Sequence, residues 1–180
     1  MGGAAGQVGV QGQQRAGLAQ GRGGQRRQQR FQQLAPGPVF DEPATLLLAI
    51  GLTHHLAPVR ALALEALLSA TDHGRLVPTA LATALGKLLS ASFVPLPRLT
   101  ASLTPARAIN PRTDDALRQL LDALLPALPA APLRQTGALL TLYADLPGRA
   151  AHPVPAPVQA RLREWSASAS LKKLAAPLLA

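Results

Sequence analysis

Leucine and alanine recur along this chain at helical rather than strand spacing. Leu117, Leu120, Leu121 and Leu124 follow i, i+3, i+4, i+7, which places them on one stripe of a helix. Leu81, Leu85, Leu88 and Leu89 repeat that pattern after Pro78, and Val158, Leu162 and Trp165 repeat it more briefly after Pro157. β-Branched and aromatic side chains are scarce, which disfavours strands. Prolines punctuate the leucine-rich segments, and proline suits the first turn of a helix but ends one elsewhere. The pattern predicts an all-α fold with helices over residues 44–55, 58–71, 78–91, 97–109, 112–125, 132–146, 157–166 and 169–179. Thr113 is the expected cap of the fifth helix. Asp114 and Asp115 fall in its positively polarised first turn, and Asp114–Arg118 and Arg118–Asp122 are i, i+4 pairs on its wet side. Gly148 is the expected stop after Leu139, Leu142 and Tyr143.

The spacing of these segments is itself periodic. First helices of successive pairs start near Ala44, Pro78 and Arg112, about 34 residues apart. Second helices open with related triplets, Pro58-Val59-Arg60, Leu96-Pro97-Arg98 and Pro132-Leu133-Arg134. A period of this size with two helices per unit predicts an α-solenoid, in which each pair buries its apolar face on its neighbours. An irregular helical bundle with coincidental proline spacing is the alternative.

The run His55-Leu56-Ala57-Pro58-Val59-Arg60-Ala61-Leu62-Ala63-Leu64-Glu65-Ala66-Leu67 resembles the second helix of a HEAT-like repeat. Pro58, Val59 and Arg60 match the family's turn and helix start. His54 and His55 stand where that family usually carries an acid. The block from Leu47 to Ser102 is also similar to the C-terminal part of large uncharacterised bacterial helical-repeat proteins. The resemblance spans residues 44–146. It implies a short α-solenoid of HEAT-like helix pairs, about three to four of them in residues 41–180. It also implies a non-catalytic scaffold that binds another protein, and it transfers no catalytic residue.

The first predicted helix carries the sharpest expectation about partners. Leu46, Leu47, Leu48, Ile50 and Leu52 point around its whole circumference, and a helix apolar on every side is expected to be covered on every side. Terminal repeats normally turn a polar face outward. The N-terminal end is therefore expected to lack a cap and to stack, through Leu46, Leu47 and Ile50, on another protein, on a second copy or on further helical repeats of a longer chain. The alternative is that the C-terminal helices fold back over it. Arg60, Arg98 and Arg134 recur in register and are expected to form a ladder between repeats or to line a concave face. The structural role is favoured, because an arginine stem covers neighbouring leucines.

Composition separates the first 40 residues from the rest. They hold ten glycines, ten glutamines, five arginines and no acid, whereas residues 41–180 carry thirteen basic and nine acidic side chains. So polar a segment buries too little apolar surface to offset chain entropy, and it is expected to be disordered. Arg22, Arg26, Arg27 and Arg30, among glycines and glutamines, resemble arginine–glycine segments that contact nucleic acid. A nucleic-acid-associated protein using this basic tail, with weak and salt-sensitive phosphate contacts, is the alternative function. With +9 net charge, fifteen arginines to three lysines and much alanine, glycine and proline, the composition suggests a bacterial, cytoplasmic protein.

The chemistry-bearing patterns are sparse. Without cysteine there is no thiolate metal site and no cysteine nucleophile. The chain has no phosphate-binding glycine loop and no nucleophile elbow. The four histidines do not pair at ligand spacing, and His54 with Asp72 is the best composite site on offer. Glu65, on a leucine-rich helix, is the best single carboxylate. No catalytic, cofactor-binding or metal residue is assigned, no small-molecule substrate is inferred, and the apolar stretch Ala44 to Leu52 is too short to span a membrane.

Overall fold

A computed structural model describes residues 40–91, 95–130 and 135–179, all within one unit, Pro38–Ala180. Among the described residues there are eight α-helices, two 3₁₀ turns and no strand. They are α1 (Glu42–Leu52), α2 (Ala57–Asp72), α3 (Pro78–Ala91), α4 (Leu96–Leu103), α5 (Pro111–Ala127), α6 (Thr136–Ala144), α7 (Ala156–Ser166) and α8 (Ala169–Leu179). The 3₁₀ turns, Thr104–Ala106 and Arg149–Ala151, follow α4 and precede α7. None of these helices is long and apolar enough to cross a membrane.

Local chemistry sets the ends. Asp41 caps α1, its Oδ1 accepting from Ala44 N at 2.9 Å, with Glu42 in the first turn. Gly74, at φ +64°, lets the chain leave α2 in the left-handed region, and Arg75 N then returns to Ala70 O at 2.8 Å. Gly148 does the same after α6, at φ +71°. The fourth helix stops at Leu103, short of the expected residue 109, because Pro105 has no N–H to donate and its ring opposes the preceding turn. The cap of α5 is Asn110 rather than Thr113: Asn110 Oδ1 accepts from Thr113 N at 2.8 Å, while Thr113 Oγ1 is buried without a partner. Asp114 is likewise not on the wet side. It is buried, and its carboxylate accepts from Ala108 N at 2.9 Å, holding the loop residue that sits at φ +63°. Arg118 pairs instead with Asp115 at 2.7 Å.

The helices pack in two rows. α1, α3, α5 and α7 lie side by side in sequence order, and α2, α4, α6 and α8 do the same. The pairs α1–α2 and α7–α8 join the rows most tightly. Leucines fill the space between: Leu52, Leu81, Leu85, Leu99, Leu103, Leu121, Leu124, Leu139 and Leu162 are fully buried. Each such side chain contributes on the order of 1.5–3 kcal/mol by leaving water. Trp165, also fully buried, donates its indole N–H to Pro129 O at 3.3 Å.

Two contacts fix the first pair. A Cβ built on Gly51 of α1 would stand 2.8 Å from Ala63 Cβ of α2, so the helices cross at a distance only glycine permits. From the second row, Ser102 Oγ donates to Leu52 O at 2.8 Å, satisfying a carbonyl that the end of α1 leaves open. At the other end of the rows, the phenol of Tyr143 (α6) donates to Asp122 Oδ1 (α5), and the Arg149 guanidinium lies 4.7 Å from its ring centroid. Burial, then the Asp122 hydrogen bond and charge, push this phenol well above its ordinary value of about 10, with Arg149 pulling weakly the other way.

Two predictions follow from this packing. Gly51→Ala should lower stability by about 1–2 kcal/mol although alanine is the better helix former, and Ala63→Gly in the same chain should recover part of that loss. Denaturant unfolding of the four-member cycle checks it. Tyr143 is the only tyrosine, so phenolate absorbance reports it alone. Because the folded state holds the proton more tightly, this contribution is whole below pH 10 and fades as pH rises toward the higher folded value. Absorbance should titrate near pH 10 in urea and well above it in the folded chain. Tyr143→Phe should flatten the alkaline stability limb by about 1.4 kcal/mol per pH unit.

Candidate functional site

The leucines singled out on α1 lie on its outward arc. Leu47 is 69% exposed, Leu46 43% and Ile50 41%, while Leu48 and Leu52, on the opposite arc, are buried against α3, α2 and α4. Leu56 in the α1–α2 turn and Leu62 on α2, 65% exposed, extend the apolar area onto the second row. Five of the seven large exposed hydrophobics among the described residues thus belong to the first helix pair. α7 and α8 pack on α5, α6 and each other, and they do not cover α1. Beside this face runs a groove of about 390 Å³ between α1 and α3, walled by Phe40, Leu46, Ala80 and Ala84, with Glu42 and Lys87 at its edge. Phe40 is held there by its N–H, which donates to Arg75 O at 3.1 Å.

The arginines in register do different things. Arg60 Nη1 donates to the carbonyls of His54 and His55, both at 2.9 Å, and so closes the turn between α1 and α2. Arg98 is half-buried on α4 and its side chain makes no hydrogen bond among the described residues, and Arg134 lies outside them. Arg60 and Arg98 share no hydrogen bond among the described residues. Arg22, Arg26, Arg27 and Arg30 also lie outside the described residues.

The polar groups screened for chemistry are used locally. His54 Nδ1 accepts from Leu56 N at 3.1 Å, and its ring tilts against His55. Asp72 Oδ1 accepts from Asn110 Nδ2 at 3.1 Å, tying the end of α2 to the start of α5. Glu65 is exposed. No group of three histidine, aspartate or glutamate side chains that could hold a metal occurs among the described residues.

A second concavity, missed from the sequence, opens where the 3₁₀ turn at Arg149–Ala151 meets the ends of α7 and α8. It measures about 500 Å³ and is lined by Arg149, His152, Val154, Gln159, Leu178 and Leu179 among others. Arg149 is only 7% exposed, with Nη1 donating to His152 O and Nε buried without a partner. The one sequence cue was an arginine and a histidine in a Pro/Gly loop, where function tends to collect but where no periodicity singles out a residue.

No curated protein and no solved structure matches the chain. Residues 28–180 match the model of a family described as a domain of unknown function, DUF7825. That match spans well over half of the sequence, and the chain therefore belongs to this family.

Proposed function

We propose that the domain is a non-catalytic scaffold, a short α-solenoid of HEAT-like helix pairs, whose N-terminal end receives a helical pair from another protein. The observation that carries this reading lies on α1, α2 and the turn between them: Leu46, Leu47, Ile50, Leu56 and Leu62 are each exposed. Singly exposed leucines are ordinary, but five of the seven large exposed hydrophobics among the described residues fall on this one helix pair, a concentration that marks a surface another body covers. The rows support the choice of a helical partner. α3 covers one flank of α1 and α4 covers one flank of α2, so a further pair would meet their free flanks by the same kind of packing. The Gly51–Ala63 approach and the Ser102–Leu52 bond hold this first pair rigid, so little ordering entropy is lost on docking. The resemblance of the Pro58-Val59-Arg60 run to a HEAT-like helix supports a scaffold, and His54, Asp72 and Arg60 are each engaged in local hydrogen bonds.

The reading is checked by placing a photo-crosslinking residue at Leu47 or at Leu62 in cells that make the protein, with Arg163 on α7 as the control position. A discrete protein adduct should form from the two leucine positions and not from the control. Leu47→Glu in the Leu62 probe chain should abolish that adduct while leaving the melting temperature within about 2 °C, since exposed sites tolerate substitution. Equal labelling at all three positions, or none at the leucines, would refute the scaffold interface.

A further inference from the structure

We propose that the cleft at the C-terminal end of the rows binds a small amphipathic anion, a carboxylate on a short apolar chain, with Arg149 as its charge partner. This does not depend on the N-terminal reading, because the two surfaces lie on different helices. The case starts with the cost of Arg149 as it stands. A guanidinium stays protonated at any physiological pH, and a charge withdrawn from water is expensive unless it is paired and fully hydrogen-bonded. Arg149 is more than nine-tenths buried, yet no carboxylate lies within ion-pair distance of it among the described residues. Among the described residues it donates to His152 O, lies over the face of Tyr143 and interacts with that residue's phenol, and its Nε is buried with no acceptor. Asp122 accepts from the Tyr143 phenol and forms no ion pair with Arg149 among the described residues. Among the described residues the cation is therefore held in place, partly dehydrated and without an ion-pair partner.

The cleft supplies the rest of a site. Its volume of about 500 Å³ falls inside the usual small-ligand range of roughly 300–1,000 Å³. The other polar groups on its wall carry no negative charge. Gln159 is committed, its Nε2 donating to Val154 O at 2.9 Å and its Oε1 accepting from Arg163 at 3.3 Å. His152 is exposed, with a ring free of hydrogen bonds to the described residues. So the cleft offers one buried cation and an imidazole. Val154, Leu178 and Leu179, each half-buried, form the apolar side. A carboxylate gives Arg149 the charge-assisted acceptor it lacks, and a short hydrocarbon body takes the place of water on the apolar side. A bare phosphate would use only the first feature and a neutral lipid only the second.

The test uses the full chain with octanoate, octan-1-ol and inorganic phosphate as probes, followed by ligand-observed NMR and by thermal shift. Octanoate should bind and raise the melting temperature, and octanol and phosphate should each bind at least about tenfold more weakly, the margin of a charge-assisted bond over a neutral one. Arg149→Gln should cost octanoate about the same factor and leave octanol unchanged. If that chain does not fold by circular dichroism, Leu179→Glu, on a half-exposed wall of the cleft, should reduce octanoate binding instead. The proposal is overturned by equal affinity for octanoate and octanol, by phosphate binding in preference to octanoate, by no binding of any probe, or by wild-type octanoate affinity in whichever variant folds.

Discussion

Helices of 8 to 17 residues cannot stand alone in water, and everything in this fold depends on the leucine layer that two rows of them share. Nucleating a short helix fixes several backbone angles for one hydrogen bond, and the prolines that start these helices also keep them short. Stability must therefore come from between the helices. The buried stripes on α3, α5 and α7 supply it: α3 and α5 each lie between two neighbours of their own row, and α7 packs on α5 and, across the rows, on α8. The same requirement explains why polar side chains in the interior are tied to backbone atoms. Ser102, Asp114, Asn110 and Arg60 each satisfy a helix end or loop that the leucine layer alone would leave with open donors or acceptors.

Periodicity was the readable part of this chain. The stripes on Leu117–Leu124, Leu81–Leu89 and Val158–Trp165 are the faces that end up buried, because one apolar face per helix is a property of local sequence. The helix starts beside Pro43, Pro58, Pro78, Pro97, Pro111 and Pro157 were readable for the same reason, while Pro132 lies outside the described residues. What could not be read is where a polar side chain reaches across a turn or between rows. Thr113 looked like the cap because it precedes two acids, but Asn110 takes that place once the loop turns at Ala108. Asp114 looked solvated because Arg118 lies four residues on, yet its partner is an amide six residues back. Tyr143 and Asp122 are 21 residues apart and meet only through the packing of α5 and α6. Arg149 gave no periodic cue, since its burial is produced by a loop folding onto Tyr143.

The two surfaces described above differ in the physics that makes each of them unusual. At the α1–α2 end, apolar area is left facing water, and the driving force for covering it is diffuse and independent of partner sequence in detail. At the α7–α8 end, the anomaly is one buried cation without an ion-pair partner among the described residues, and the requirement it sets is chemical and directional. The first asks only for a shape, the second for a charge at one point.

The row arrangement also bears on how injury travels through the molecule. α1 and α2 lean on α3, α4 and α5 while α7 and α8 lean on α5 and α6, so among the described residues the two extremities meet only through helices that lie between them. A lesion at one extremity is thus absorbed by its immediate neighbours. The chain can drift in sequence, or loosen, at one extremity while the other keeps its shape.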